Sequence, residues 1–139
     1  MTLWRLLLGL GMGLLLAWLG RRRGLLTRNG AWAVGLAVAI PWAVTGWAWG
    51  AVMAVYWLGL ALIAPFRRGV KAALTERFEP PHARLGWREV LARTAWAVLL
   101  SLNAAFSVGW AQWLLAYTGA IAASAADALS TELGILSAQ

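Results

Sequence analysis

Two acidic side chains, Asp127 and Glu132, stand inside a run that is otherwise small and apolar, Gly119 to Gln139 (GAIAASAADALSTELGILSAQ). The other three acids, Glu76, Glu79 and Glu89, fall in a polar stretch. An Asp at the centre of a membrane helix costs roughly 2.5–3.5 kcal/mol on insertion scales, so acids in such segments usually face a bundle interior or a wet cavity and mark function. Carboxylates placed there can hold a hard, oxygen-bound cation such as Mg²⁺. On a helix, Ser124, Asp127 and Thr131 share one face (i, i+3, i+7), whereas Glu132 points about 140° away from Asp127. One regular helix would not clamp a single ion with both acids; a break near Gly134, or a second helix between them, would be needed. Asp127 is otherwise a buried hydrogen-bonding partner for Asn103 or a loop arginine, and Glu132 a solvated acid near the membrane interface.

The cations that complement these acids are arginines. Arg84, Arg88 and Arg93 precede or open the segment that starts at Thr94, and guanidinium forks suit phosphate oxygens. Arginines beside membrane carboxylates are the parts of a phosphoryl-transfer site, where cations spread charge and acids hold Mg²⁺. Arg88 and Glu89 also read as a solvated helix start. Asn103, between Ser101 and Ser107, either hydrogen-bonds to another helix or lines a polar cavity. No GxxxxGK[ST], GxGxxG or HExxH pattern occurs. A single histidine, His82, and no cysteine exclude disulfides, thiolate chemistry and multi-His metal sites.

Composition decides what positions these groups. The 139 residues are 62% hydrophobic and only 12% charged, against about 25% charged in a soluble domain. The chain therefore has too little polar surface to cover itself in water, and it reads as an all-α, polytopic membrane helix bundle forming one domain over 1–139. Net charge is +7, and eleven of the twelve Lys and Arg fall in the stretches 21–29 and 67–93, with Arg5 the exception. Nucleic acid is not an expected partner; the lipid bilayer, anionic lipid headgroups and phosphorylated ligands are.

About five transmembrane helices are expected, over 3–19, 30–45, 47–66, 94–117 and 119–139. A basic loop at 67–93 contains the Pro80-Pro81 breaker, and Lys71 to Phe78 fits a helix turn or two. Leu3 to Leu19 has its charge after the apolar core, so it reads as a retained helix rather than a signal peptide. The run from Gly30 to Phe66 is too long for one span of about 20 residues and turns near Thr45 and Gly46. Pro41 is expected to kink the first of its two helices. Five spans put both basic stretches on one side, which the positive-inside rule assigns to the cytoplasm. The N-terminus is then outside and the C-terminus cytoplasmic, in a bacterial-type inner membrane. Trp4, Trp42, Trp47, Trp49, Trp110 and Trp113 fall near predicted outer ends, and Trp18, Trp32 and Trp96 near inner ends, as an interfacial belt would. Trp57 sits mid-span and reads as packing. Gly9/Gly13 and Gly46/Gly50 are GxxxG pairs that permit close helix contact.

The stretch Ser124-Ala125-Ala126-Asp127-Ala128-Leu129-Ser130-Thr131-Glu132-Leu133-Gly134 resembles the signature A-N-A-D-T-W-A-[ST]-E-[LI]-G of an integral membrane family (domain of unknown function 92). That family includes plant phytyl-phosphate kinase and animal transmembrane protein nineteen. Asp127, Thr131, Glu132 and Gly134 match; the family's Asn, Thr and Trp are Ala125, Ala128 and Leu129 here. Upstream, Leu26-Thr27-Arg28-Asn29-Gly30-Ala31 resembles the family's L-T-x-x-G-A. Glu89-Val90-Leu91-Ala92 resembles its [QE]-V-L-A, with Arg93-Thr94 where the family has Asn-Gly. The resemblance covers the family's N-terminal half; members usually continue into a Gly-rich P-G-T-x-G-G segment.

The resemblance implies a prenyl (phytyl-like) phosphate kinase. It would move a phosphoryl group from a nucleoside triphosphate, with Mg²⁺, to a membrane prenyl monophosphate. Asp127 and Glu132 would be the catalytic, metal-holding acids, and Arg84, Arg88 and Arg93 the phosphate binders. Ser124, Thr131 and Asn103 would support them, and the small-residue cleft would take the prenyl chain. A second chain, or a homo-oligomer, would supply the missing half. The alternative is a non-catalytic half-length membrane protein that assembles with a partner or binds anionic lipid headgroups. A small transporter half would also explain Asp127 but has no motif behind it.

Overall fold

The computed structural model describes the backbone of residues 3–74 and 84–137 and the side chains of residues 3–63 and 84–130. Five helices and no strand are formed among the described residues: α1 (Leu3–Arg22), α2 (Arg28–Val44), α3 (Trp47–Leu74), α4 (Trp87–Phe106) and α5 (Trp110–Ser137). α2 is central and packs on α1, α3 and α4, while α5 closes the bundle against α3 and α4.

Local chemistry sets the ends. α2 begins at an N-cap, Thr27, whose Oγ1 accepts from the Gly30 amide at 3.1 Å. Pro41 lies in its last turn. The Pro41 carbonyl accepts from the Thr45 amide (3.1 Å), the Gly46 amide (3.3 Å) and the Thr45 hydroxyl (2.7 Å), and the chain reverses there. α4 begins where Glu89 Oε2 accepts from the Gly86 amide at 2.9 Å, half of a capping box.

Two expected boundaries move. The sequence predicts a junction between spans near Thr118, but α5 runs through it, and Thr118 Oγ1 donates back to the Leu114 carbonyl at 2.9 Å. The reversal falls instead at Ser107–Gly109, where Gly109 has φ +90°, a conformation that disfavours any residue with a Cβ. The stretch Arg67 to Leu74, expected in the basic loop, continues α3.

The core is apolar with few polar insertions: Val34 and Val38 of α2, Met53 and Trp57 of α3, Val90 of α4, and Tyr117 of α5. Trp57, expected to pack, is buried. Tyr117 donates to the Trp49 carbonyl at 2.7 Å and its ring meets Trp49 at 4.8 Å, fastening α5 to α3. Trp49 is thereby in the core and not in an interfacial belt, and Trp42 is half-buried over Gly50. Trp4, Trp18, Trp32, Trp47, Trp96 and Trp110 are exposed, as are Leu7, Leu10, Leu14, Val55, Phe106 and Leu115. An outer surface this apolar suits lipid better than water. Among the described residues, α1 is the one helix long and apolar enough for a membrane span; the apolar helical stretch Trp47–Ile63 is shorter, and α2 has 17 residues.

The α1–α2 pair is packed backbone to backbone. A Cβ on Gly13 would overlap the Gly35 carbonyl oxygen, and one on Gly9 would lie 3.0 Å from Trp42 Cβ. The first GxxxG pair therefore makes a helix contact. In the second pair, Gly46 has φ +113° in the turn and Gly50 accommodates the Trp42 ring. Gly11, between the first pair, faces open space. Gly13→Ala is expected to lower stability by about 1–3 kcal/mol through overpacking, and Gly11→Ala to leave it unchanged. Thermal melting of both variants in detergent checks the contrast.

Candidate functional site

The site is assembled at the end of the bundle where the α1–α2 connection meets the start of α4. Thr27 N donates to the Leu85 carbonyl at 3.0 Å, and Leu85 N donates to the Leu25 carbonyl at 2.8 Å, a single parallel bridge around Leu26 and Leu85. Thr27 Oγ1 also donates to Leu85 O at 3.3 Å. A Cβ on Gly30 would overlap that same Leu85 oxygen, so the two connections touch only because residue 30 has no side chain. The segments Leu26–Ala31 and Glu89–Ala92, singled out separately in the sequence, thus meet through Leu85 and Gly86. Arg21, Arg22, Arg23, Arg28, Arg84, Arg88 and Arg93 all belong to this end, and Arg5 lies at the opposite one, 3.8 Å from a Cβ placed on Gly46.

From this anchor α4 runs with Val90, Thr94, Ala97 and Ser101 buried. Glu89, Arg93 and Trp96 follow one adjacent side of the helix, at i, i+4 and i+7. α5 returns with Ala120, Ala123, Ser124 and Asp127 on the facing side. Between them is a cleft of about 520 Å³ lined by Glu89, Arg93, Trp96, Ser124 and Asp127 together with alanines of both helices. Ser124 Oγ is hydrogen-bonded to Tyr56 Oη at 2.9 Å, which ties the cleft to α3. Arg93 Nη1 is buried and hydrogen-bonds to no described residue. Because α5 starts at Trp110 rather than Gly119, Asp127 stands about 25 Å along it, in one cleft with Arg93, and it is exposed there rather than the buried partner of Asn103 that the sequence allows.

Of the residues expected at the site, the cleft brings together Asp127, Ser124 and Arg93. Arg84 is exposed ahead of α4 and does not line it. Arg88 is exposed too, with its guanidinium over Trp87 at 5.4 Å; five residues along a helix from Arg93, it faces about 140° away. Asn103 does not support the cleft: it is exposed, and its Nδ2 donates to the Leu99 carbonyl one turn back at 2.9 Å. Thr131 and Glu132 lie on the α5 backbone, with side chains outside the described residues.

Two residues of the cleft were missing from the expected site, Glu89 and Trp96. The i, i+4 spacing of Glu89 and Arg93 was the available signal. Glu89 has a helix-starting role through Oε2, as its position suggested. Asp127, Glu89 and Ser124 offer only oxygen donors to the cleft, which fits a hard cation and not a soft one. Among the described residues no three His, Cys, Asp or Glu cluster together. An ion held here would draw the rest of its shell from water and bound phosphate, which is the habit of Mg²⁺.

Comparison with known proteins agrees with the helical, lipid-suited exterior. The family model described as integral membrane protein DUF92 matches residues 11–139. No curated protein and no solved structure matches the chain. With nearly its whole length matched, the chain belongs to the integral membrane protein family DUF92.

Proposed function

We propose that this protein is a membrane phosphotransferase of the prenyl-phosphate kinase type, using a nucleoside triphosphate to phosphorylate a membrane-dissolved prenyl monophosphate. The supporting observation is the meeting of Arg93, Asp127, Ser124 and Glu89 in one cleft at the arginine end of an apolar bundle. In the reaction the bond from the terminal phosphorus to the nucleotide's bridging oxygen breaks, and a bond from that phosphorus to a monophosphate oxygen forms. The products are a nucleoside diphosphate and a prenyl diphosphate.

Each group has a role that follows from its surroundings. A buried guanidinium N–H without a partner costs about 1–3 kcal/mol, and a phosphate oxygen at Arg93 Nη1 would remove that cost. Asp127 would hold Mg²⁺, with Glu132 or Glu89 as the second carboxylate; the ion, when bound, neutralises charge on the phosphates. Ser124, oriented by Tyr56, would hydrogen-bond to the acceptor phosphate. The alanines of the cleft and Trp96 would take the first units of the prenyl chain. Arg84 and Arg88, outside the cleft, would draw the anionic substrate towards it rather than touch it. In this reading the arginine end faces the cytoplasm, with the N-terminus outside, by the positive-inside rule. A second chain or copy would contribute the family's Gly-rich segment.

One observation favours a second, non-catalytic reading. Ala128, at the position of the family's Thr, is 3% exposed and packed into the core, so that position offers no polar group to a substrate.

Purified protein, alone and with any partner carrying the Gly-rich segment, is expected to convert a prenyl monophosphate to the diphosphate with Mg²⁺ and a nucleotide. Asp127→Ala is expected to abolish turnover, and Arg93→Gln to lower kcat by about a hundredfold. Activity that survives Asp127→Ala would remove this site assignment, and no diphosphate from any combination would leave the non-catalytic reading. Gly30→Ala, which touches no cleft residue, is expected to reduce turnover by pushing Leu85 and the start of α4 away. Ser124→Ala is expected to lower turnover more than Tyr56→Phe, which removes only the orienting hydrogen bond, and Tyr56→Phe is expected to cost nothing further in the Ser124→Ala background; an additive double-mutant cycle would separate the two residues.

A further inference from the structure

A second groove, of about 630 Å³, lies between α1 and α2 at the arginine end, apart from the α4–α5 cleft. Three guanidinium groups line it: Arg21 and Arg22 from the last turn of α1, and Arg28 from the first turn of α2. Among the described residues no carboxylate lines it, so nothing in the groove neutralises the three charges. Arg22 rests over the Trp18 ring at 5.0 Å, which holds one guanidinium in place.

The rest of the wall is apolar, buried at Ala17 and Ala31 and turned outward at Leu14, Trp18 and Trp32. Leu14 is 55% exposed, Trp18 54% and Trp32 62%. Leu14 is two helical turns from Arg21, about 10 Å back towards the middle of α1. The groove therefore grades from cationic at the bundle end to apolar along a helix that is long and apolar enough to span a membrane. Two tryptophans flank the transition, where amphipathic rings settle at a membrane interface. A free phosphate would use the arginines and leave the apolar wall without a role. An amphiphile with one anionic phosphate and hydrocarbon chains uses both.

We infer that this groove binds an anionic glycerophospholipid from the leaflet at the arginine end, with its phosphate among Arg21, Arg22 and Arg28 and an acyl chain along Leu14 between Trp18 and Trp32. The site is independent of the phosphotransferase reading, since it shares no residue with the cleft.

The test is native mass spectrometry of the full chain, stripped of lipid in detergent and titrated separately with phosphatidylglycerol and phosphatidylcholine. Phosphatidylglycerol is expected to bind at least about fivefold more tightly, the worth of one arginine near a headgroup. Arg28→Gln is expected to lose most of that preference, and Arg21→Gln with Arg28→Gln all of it. Arg23→Gln removes an equal charge from an exposed arginine outside the groove and is expected to keep it. Melting without lipid checks that the variants fold; if the double variant melts early, the comparison of Arg28→Gln with Arg23→Gln carries the result. Equal binding of the two lipids would overturn the inference, as would equal losses in Arg28→Gln and Arg23→Gln. Displacement of phosphatidylglycerol by an equal concentration of inorganic phosphate would assign the groove to a free anion and overturn it as well.

Discussion

The backbone pairing of Thr27 and Leu85 governs where the α4–α5 cleft is placed. Polar backbone at a bundle end must find partners, and here two connections far apart in sequence supply them to each other. The consequence is geometric. Leu85 fixes the start of α4, the start of α4 fixes which side of it carries Glu89, Arg93 and Trp96, and that side receives α5. A glycine at position 30 is the condition for this contact, because the Leu85 oxygen occupies the space a Cβ would need. The segment Leu26–Ala31 does its work as a support for a site to which it contributes no side chain.

The two sides of the bundle are built on different principles. The α1–α2 pair is joined by close backbone approach at Gly13 and Gly35, with the arginines left outside. The α3–α5 pair is joined by tyrosine hydroxyls, Tyr117 to the Trp49 carbonyl and Tyr56 to Ser124. Within a bundle whose exterior is leucine, valine and tryptophan, these contacts define register where apolar burial alone would not. They also make Ser124 a fixed feature rather than a swinging hydroxyl, with Asp127 one helical turn further on.

Much of this was legible in the sequence. The helical class followed from composition, the reversal at Thr45–Gly46 from its turn residues, and the common end of the two basic stretches from counting segments. The shared face of Ser124 and Asp127 followed from helical spacing, which survives errors in where the helix begins. Helix ends were less legible. Thr118-Gly119 looked like a junction, but a threonine can bond back to its own helix and a glycine is tolerated within one, whereas Ser107 to Gly109 needed a positive φ that no pattern announces. The partner of α5 was not legible either, since Glu89 and Asp127 come to line one cleft only through tertiary packing. Asn103 misled for the same reason as Thr118: its polar group was satisfied one turn back, so it needed no partner elsewhere.

The shortness of α2 has a mechanical implication. Its 17 residues rise about 26 Å, a few ångström less than a hydrocarbon slab of about 30 Å. A helix too short for its surroundings is accommodated by a locally thinner bilayer or by flanking side chains that reach outward. Arg28 at one end and Trp47 just past the other are suited to that reach.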